Sequence, residues 1–241
     1  MRYILLLLSL FFAINASSQN LDNLSIKELD NLGLGAFHEG DYKKAVQYFE
    51  HSLKVARALK VDTTIGLCAN NLGVIYENLG EYEKAERLQQ EALAIWGKTV
   101  GEAHPYYANS LNNIAYLAEV RGDYEKAEQL QIKSVNLIQR SKGPQSALYA
   151  NAISNLGVLY ESMGRYDEAE SMYKEAIRIQ KKVLGPIDSD LAISLNNLAS
   201  VYANVGRFDE AFDLYLQALS INEKAFGGYG QFLTPSASMV W

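Results

Sequence analysis

Apolar residues along most of the chain recur at spacings of three and four, the period of an amphipathic helix rather than of a half-buried strand. In one stretch the residues that share a helical face are Cys68, Leu72, Ile75, Tyr76 and Leu79. The stretch that follows continues this stripe with Tyr82, Ala85, Leu88, Ala92, Leu93 and Ile95. The pattern therefore predicts an all-α fold made of successive short helices.

A repeat of about 42 residues groups these helices. The motif Gly-x-(Tyr/Phe)-x-x-Ala occurs five times, and its alanines step by 40, 42, 42 and 42 residues; its copies begin at Gly40, Gly80, Gly122, Gly164 and Gly206. A second glycine series has the same step of 42 and consists of Gly101, Gly143, Gly185 and Gly227. Because glycine readily adopts the positive φ that ends a helix, two glycines per period predict two helices per repeat.

Five helix pairs are expected, over residues 24–60, 61–101, 104–143, 146–185 and 188–227. One pair cannot bury its own apolar face, so neighbouring pairs have to stack to build a core. This predicts a repeat array, an α-solenoid, across residues 19–227.

One copy of the repeat contains Leu156-Gly157, Tyr160, Gly164, Tyr166, Ala169, Tyr173 and Ala176, and the next copy has similar residues 42 positions later. This pattern resembles the tetratricopeptide repeat (TPR). The longer step, with Gly101-Glu102-Ala103-His104-Pro105 and Ser110-Leu111-Asn112-Asn113-Ile114-Ala115, is similar to the variant of kinesin light chains and many bacterial proteins. The resemblance covers residues 26–227, departs most in the first unit, and implies a right-handed superhelix. Its inner groove, lined by the first helix of each pair, would bind protein segments.

Asparagines recur on the first helix of each pair. One series with a step of 42 is Asn71, Asn113, Asn155 and Asn197, and three of its members are preceded by Asn70, Asn112 and Asn196. Asparagine is a poor interior helix residue, so its repetition calls for a compensating interaction. Its amide both donates and accepts, which suits binding to an extended peptide backbone in the groove. Hydrogen bonding to a neighbouring repeat or loop explains the series equally well.

The helical stripe that carries Asn70 continues to Glu77, whose equivalents are Glu119 and Glu161, while the fifth unit has Ala203. If this stripe faces the groove, three carboxylates favour a neutral or basic ligand segment. The alternative is an ordinary solvated helix face. No Lys or Arg accompanies the asparagines, which argues against the basic clamp by which some TPR proteins hold a C-terminal carboxylate.

The first residues are expected to be an export signal rather than part of the fold. Met1-Arg2 precedes an apolar run from Tyr3 to Ile14, and the small residues Ala16-Ser17-Ser18 favour cleavage after Ser18. An uncleaved anchor or a buried first helix are the competing interpretations. The run is shorter than the roughly 20 residues of a spanning helix, so release into a periplasmic or extracellular space is expected, without stable membrane insertion.

Composition excludes several function classes. Lys and Arg number 22 against 28 Asp and Glu, a net charge of −6, and no basic cluster that could bind nucleic acid phosphate occurs. The single cysteine, Cys68, is expected to be a core residue. His38, His51 and His104 lack metal-ligand spacing. Neither a phosphate loop nor a nucleophile elbow is found, so no catalytic residue, metal or cofactor is expected.

The sequence thus predicts a non-catalytic scaffold that binds a protein or peptide segment in the groove. Two alternatives are the sensory or regulatory region of a larger signalling or protease-like protein, and an exported enzyme with an unrecognised site. After Gly227 the expected next helix is replaced by a tail, residues 228–241, that contains Gly, Pro and Ser. Either Phe232, Val240 and Trp241 of this tail fold back over the last helix, or the chain is the repeat part of a longer protein. Exposure of the last helix, or a homodimer formed through it, would support the second interpretation.

Overall fold

The computed structural model describes residues 21–225, so the expected signal peptide and the tail of residues 228–241 lie outside the described residues. A short 3₁₀ turn, Leu21–Asn23, precedes ten α-helices. They are α1 (Ile26–His38), α2 (Tyr42–Leu59), α3 (Asp62–Asn78), α4 (Tyr82–Thr99), α5 (Pro105–Val120), α6 (Tyr124–Lys142), α7 (Ala147–Ser162), α8 (Tyr166–Val183), α9 (Ser189–Asn204) and α10 (Phe208–Ala225). The predicted all-α solenoid of five helix pairs is confirmed.

Each helix packs mainly against its two neighbours in the chain. The first helices of successive pairs also contact each other, α3 with α5, α5 with α7 and α7 with α9. We call α3, α5, α7 and α9 the inner helices, because together they form one continuous side of the array. The second helices of the pairs are the outer helices.

Glycines in the left-handed region end the helices where the sequence predicts. Gly80 follows α3 with φ 74°, and Gly101 follows α4 with φ 83°. The first repeat has no glycine at the second of these positions, and Lys60 takes the left-handed conformation there, with φ 56°. Helix ends are therefore set by backbone conformation even where the residue type differs.

Small residues on the first helices allow large side chains of the second helices to lie against their backbone. The pairs are Gly33 with Phe49, Gly73 with Gln89 and Gly157 with Tyr173. The motif alanines Ala45, Ala85, Ala127, Ala169 and Ala211 are all buried, because they lie at the crossing within each pair. Repetition of this small-to-large packing builds the core along the whole array.

Two details of the predicted apolar stripes can be checked. Cys68 is buried, with its sulfur 3.2 Å from Ser52 Oγ, and burial raises the pKa of its thiol to about 11, so its expected core position is confirmed. Leu79, which was expected on the same buried face, is instead exposed. It follows the last residue of α3 as the C-cap, where the chain turns away from the helix face.

Candidate partner-binding groove

The accessible polar side chains of the inner helices define a candidate groove. Helical spacing places Asn112, Tyr116 and Glu119 on one face of α5, and Asn155 and Val158 on one face of α7, which contacts α5. All five side chains are exposed or half-buried. This surface, together with Glu77 of α3 and with Asn196 and Asn197 of α9, is the candidate groove.

Three predicted groove asparagines are instead buried between helices. Asn113 Nδ2 donates to Asn70 Oδ1 at 3.1 Å, and Asn70 Nδ2 donates to Asn71 Oδ1 at 3.3 Å. Gln89 Nε2 of α4 donates to the backbone carbonyl of Asn70 at 3.0 Å. Because Asn70 and Asn113 are each 1% exposed, a partner cannot reach their amides without displacing the packing.

The placement of Asn70, Asn71 and Asn113 as partner contacts is therefore corrected to a structural role. Their hydrogen bonds give partners to polar groups that would be costly to bury alone, and they join α3 to α5 and α4, while Asn113 Oδ1 is buried without a hydrogen bond. This matches the second explanation of the asparagine series, bonding to the neighbouring repeat.

The remaining asparagines reach the surface. Asn155 is exposed, and Asn112, Asn196 and Asn197 are half-buried. Asn112 Oδ1 accepts a hydrogen bond from Gln131 Nε2 at 2.7 Å, which holds this side chain while part of it faces solvent. One sequence series thus divides into buried amides near the start of the array and accessible amides towards its end.

The three glutamates of the predicted stripe are half-buried in the same surface, but their surroundings differ. Glu161 Oε1 accepts hydrogen bonds from Ser200 Oγ at 2.6 Å and from Asn204 Nδ2 at 3.3 Å. Its second oxygen accepts one from Tyr173 at 3.2 Å. Glu161 is therefore held by neutral donors of its own repeat and the next one.

Glu119 and Glu77 have fewer donors. Burial raises the pKa of Glu119, although a hydrogen bond from Ser162 of the next repeat opposes this shift. Burial raises the pKa of Glu77 to about 7. The donor position lies 43 residues after each glutamate; it is Ser162 for Glu119 and Asn204 for Glu161, but Val120 for Glu77. A missing donor and desolvation together disfavour the charged form of Glu77.

The charge of the groove has one sign. The inner helices contain no Lys or Arg, and their charged residues are Asp62, Glu77, Glu119, Glu161 and Asp190. Apart from Lys27 of α1, the positive side chains of the described residues lie on the outer helices and turns, where they form ion pairs such as Arg165 with Glu128 at 2.8 Å. The described inner helices therefore carry charged side chains of negative sign only.

Sequence reasoning missed two features of this surface. Tyr116 is exposed between the carboxylates, and burial, together with the charges of Glu77 and Glu119, raises the pKa of its hydroxyl. Asn151 Nδ2 donates to Asp190 at 2.7 Å and joins α7 to α9. A signal for both was available, because each lies three or four residues from a predicted asparagine on the same helical face.

Residues 21–225 contain no group of three or more His, Cys, Asp or Glu side chains that could hold a metal ion. None of the helices described for this part of the chain is long and apolar enough to cross a membrane.

Family models described as tetratricopeptide repeat match residues 29–59, 64–131, 108–182 and 191–230, which together span most of the chain. The chain belongs to the tetratricopeptide-repeat family. This confirms the resemblance inferred from the 42-residue motif. No curated protein sequence matches this TPR chain.

Solved structures show the same architecture. BtubC (BKLC) from P. vanneervenii is 29% identical, with a TM-score of 0.68 over 90% of this chain and 86% of that one. The TPR-like repeats of a P. anserina protein described as a kinesin light chain are 21% identical, with a TM-score of 0.64 over 83% and 95%. A Rap protein in complex with Competence and Sporulation Factor is 17% identical, with a TM-score of 0.71 over 80% of this chain. The TPR chain spans about half of that Rap chain, 52%.

Proposed function

We propose that this chain is non-catalytic and binds an extended, neutral-to-basic protein or peptide segment in the groove of the inner helices. This is a narrower role than the protein-interaction scaffold that the TPR fold supports. The observation that carries the proposal is the polar stripe of these helices, which combines accessible amides with charges of only one sign.

The accessible amides supply backbone recognition. A carboxamide can donate to a peptide carbonyl and accept from a peptide N–H, so Asn155 and Asn197 suit a segment of varied sequence. The exposed side chains of Tyr116 on α5 and Val158 on α7 add apolar surface to the groove. The Rap structure noted above is a complex with Competence and Sporulation Factor, so a protein of similar fold holds a ligand, which supports the proposal.

The carboxylates supply the charge preference. Glu77 and Glu119 are half-buried near Tyr116. A basic side chain of the bound segment would supply the counter-charge that the repeats do not provide. The preference for basic segments should therefore depend on these two residues more than on Glu161, whose oxygens are occupied by donors within the array.

A random peptide library displayed on phage tests this function directly. Peptides selected on the wild-type chain should carry net positive charge, and the Asn155→Ala and Asn197→Ala double variant should bind them about tenfold more weakly or worse, the loss of about 1.4 kcal/mol of contact energy. Asn136→Ala is the matched control, because Asn136 is exposed on the outer helix α6. Binding should be measured by fluorescence anisotropy.

Two results would contradict the groove proposal. Selected peptides could bind the double variant as well as the wild type, or selection could return no binder at all. The Glu77→Gln and Glu119→Gln double variant tests the charge part of the proposal separately. If this variant still binds peptides and prefers positive charge as strongly as the wild type does, the charge part is wrong, while the part that rests on the asparagine amides stands.

Export and self-association are separate proposals. We propose that the chain is exported to a periplasmic or extracellular space after cleavage following Ser18. The proposal rests on the apolar run and the small residues within its first 18 positions. Sequencing the N-terminus of protein recovered from the exported fraction should then begin at Gln19. A second copy of the chain is a further proposed partner, at the α10 end of the array rather than in the groove.

A further inference from the structure

The solvent side of α10 carries a row of large apolar side chains. Their exposed fractions are 70% for Phe208, 62% for Phe212, 42% for Tyr215, 48% for Leu216 and 46% for Leu219. We call these five residues the α10 face. Contiguous apolar surface of this kind usually marks an interaction site in a soluble protein.

The preceding repeat shows what this face lacks. Tyr173 and Ile177 of α8 stand 42 positions before Tyr215 and Leu219. They are 0% and 7% exposed, because Tyr173 lies against Gly157 of α7 and α9 also packs against α8. Within residues 21–225 no further helix follows α10, so the equivalent residues lack the contacts that a following helix supplies.

The residue types of the α10 face also differ from those of a repeat that is followed by another identical repeat. Position 212 is equivalent to Glu86, Glu128 and Glu170, and each of these glutamates forms an ion pair with an arginine of the following repeat. Arg207, for example, lies 3.1 Å from Glu170. In α10 this position is Phe212, and the position of Lys174 is Leu216. The face therefore favours an apolar partner surface over the arginine that a regular repeat would present.

The spacing of the row makes it complementary to itself. Phe208, Phe212, Tyr215 and Leu219 are separated by steps of four, three and four, the alternation that aligns apolar side chains along a seam between two helices. The order of steps is the same when read backwards. Two antiparallel copies related by a two-fold axis thus place Phe208 against the partner's Leu219, and Phe212 against the partner's Tyr215.

At the opposite end of the array, α1 offers no comparable row of exposed apolar side chains within residues 21–225. Within α1, every large apolar side chain is buried or half-buried. A head-to-tail contact would therefore place the α10 face on a more polar surface and generate an open chain of molecules, whereas an α10-to-α10 contact closes with two copies.

We propose that α10 pairs antiparallel with α10 of a second copy, so that the TPR chain forms a two-fold homodimer through the α10 face. The dimer leaves the groove of the inner helices open, because the seam lies on the terminal outer helix. Two grooves are thereby held in one particle, which raises the avidity for a partner that presents two segments.

Sedimentation equilibrium and light scattering of the full chain test the dimer. The wild type should have twice the mass of one chain, and the Phe212→Glu and Leu216→Lys double variant should have the mass of one. These substitutions install the residue types that α8 carries at the equivalent positions, Glu170 and Lys174, so the helix should be retained. Circular dichroism of both proteins checks this. Leu59→Glu is the control and should remain dimeric, because Leu59 is 61% exposed at the other end of the array.

Cysteine cross-linking tests the antiparallel register. Oxidation of an equal mixture of Phe208→Cys and Leu219→Cys chains should link unlike chains, while each variant alone should give little linked product. The native Cys68 is 1% exposed and does not compete. Efficient linkage of Phe208→Cys alone would contradict the antiparallel arrangement. Two results would overturn the proposal. One is a monomeric wild type, which would mean that the chain itself or another protein covers the face, and the other is a dimeric double variant.

Discussion

At the scale of single residues, the stability of this TPR chain depends on contacts in which a small residue on one helix receives a large one from its neighbour. A Cβ atom added to Gly157 would lie 2.8 Å from Cε1 of Tyr173, closer than packed carbon atoms approach. At Gly35, by contrast, an added Cβ would meet no atom within 4 Å. Two glycines in helices of the same protein therefore have opposite expected responses to substitution.

Gly157→Ala should destabilise the fold by about 1–3 kcal/mol, because Tyr173 is fully buried and has little space to move. Gly35→Ala should stabilise it by about 0.5–1 kcal/mol, since alanine favours the helix and clashes with nothing. Urea denaturation of both variants measures the two free energies of unfolding. Equal effects of the two substitutions would contradict the close approach of α7 and α8.

Glu77 gives a prediction on pH dependence. Its folded pKa of about 7 is above its ordinary value of 4.5, so the folded state holds the proton more tightly than the unfolded state does. The contribution of this residue to stability is therefore most favourable at low pH and is lost as the pH rises through about 7. At higher pH the folded state must hold a desolvated carboxylate at this position, and Glu77→Gln removes that cost. The substitution should raise the free energy of unfolding at pH 8 by up to about 3 kcal/mol, with a much smaller gain at pH 5.

Glu161→Gln is the control for that measurement. Glu161 accepts hydrogen bonds from Ser200, Asn204 and Tyr173, so its substitution should reduce stability at both pH values. A Glu77→Gln variant whose stability relative to the wild type is the same at pH 5 and pH 8 would show that Glu77 is not desolvated.

At the scale of helices, the outer helices begin in the same way but are capped differently. The N-cap residues of α2, α4 and α6 are Asp41, Glu81 and Asp123, and all three have φ between −83° and −86° with ψ between 60° and 67°. The two aspartates accept a hydrogen bond from the backbone N–H of Lys44 and Lys126, at 3.1 and 3.2 Å. Glu81 makes no such bond, because its longer side chain pairs with Lys84 instead.

Glu81→Asp should therefore stabilise the fold by about 0.5–1 kcal/mol, by giving α4 the cap that α2 and α6 have. Asp123→Ala should cost about 1 kcal/mol for the opposite reason. Thermal and urea unfolding of the two variants measure both changes. If Asp123→Ala has no effect, the side-chain caps do not contribute to the stability of the outer helices.

At the scale of the whole molecule, the array is quasi-linear, since contacts join mainly helices that are neighbours in the chain. Interior helices are packed on both sides, whereas α10 packs mainly against α9 of its own pair among the described residues. In such an array local opening is easiest where a helix has fewest neighbours.

Amide hydrogen exchange should show this gradient. In the Phe212→Glu and Leu216→Lys variant, where the proposed dimer is absent, protons of α10 should exchange faster than those of α5 and α7, with a lower opening free energy. Mass spectrometry of peptic fragments measures the rates. Uniform protection from α5 to α10 would mean that the five pairs unfold as one unit and that nearest-neighbour stacking does not limit their stability.

The sequence was sufficient to predict the helices and their pairing but not the accessibility of the repeated residues. The step of 42 placed Asn71, Asn113, Asn155 and Asn197 at equivalent positions, yet Asn113 is buried and Asn155 is exposed. Equivalent positions differ in burial because the neighbouring helices carry different side chains. The repeat determines which face a residue occupies, and the adjacent repeats determine whether solvent reaches it.

By itself, the sequence determined the all-α fold, the two helices per repeat and the acidic sign of the inner helices, since helical period, helix-ending glycines and side-chain charge are local properties. Only the tertiary structure decided that Asn70 and Asn113 bond to each other, that Glu77 lacks the donor found by Glu161, and that the described residues leave the α10 face exposed. The hydrogen bonds among these features join residues 39 and 43 positions apart that only stacking brings together. The physical reason is that hydrogen bonding and burial depend on distances in space, and in a solenoid the nearest neighbour of a helix face belongs to the next repeat.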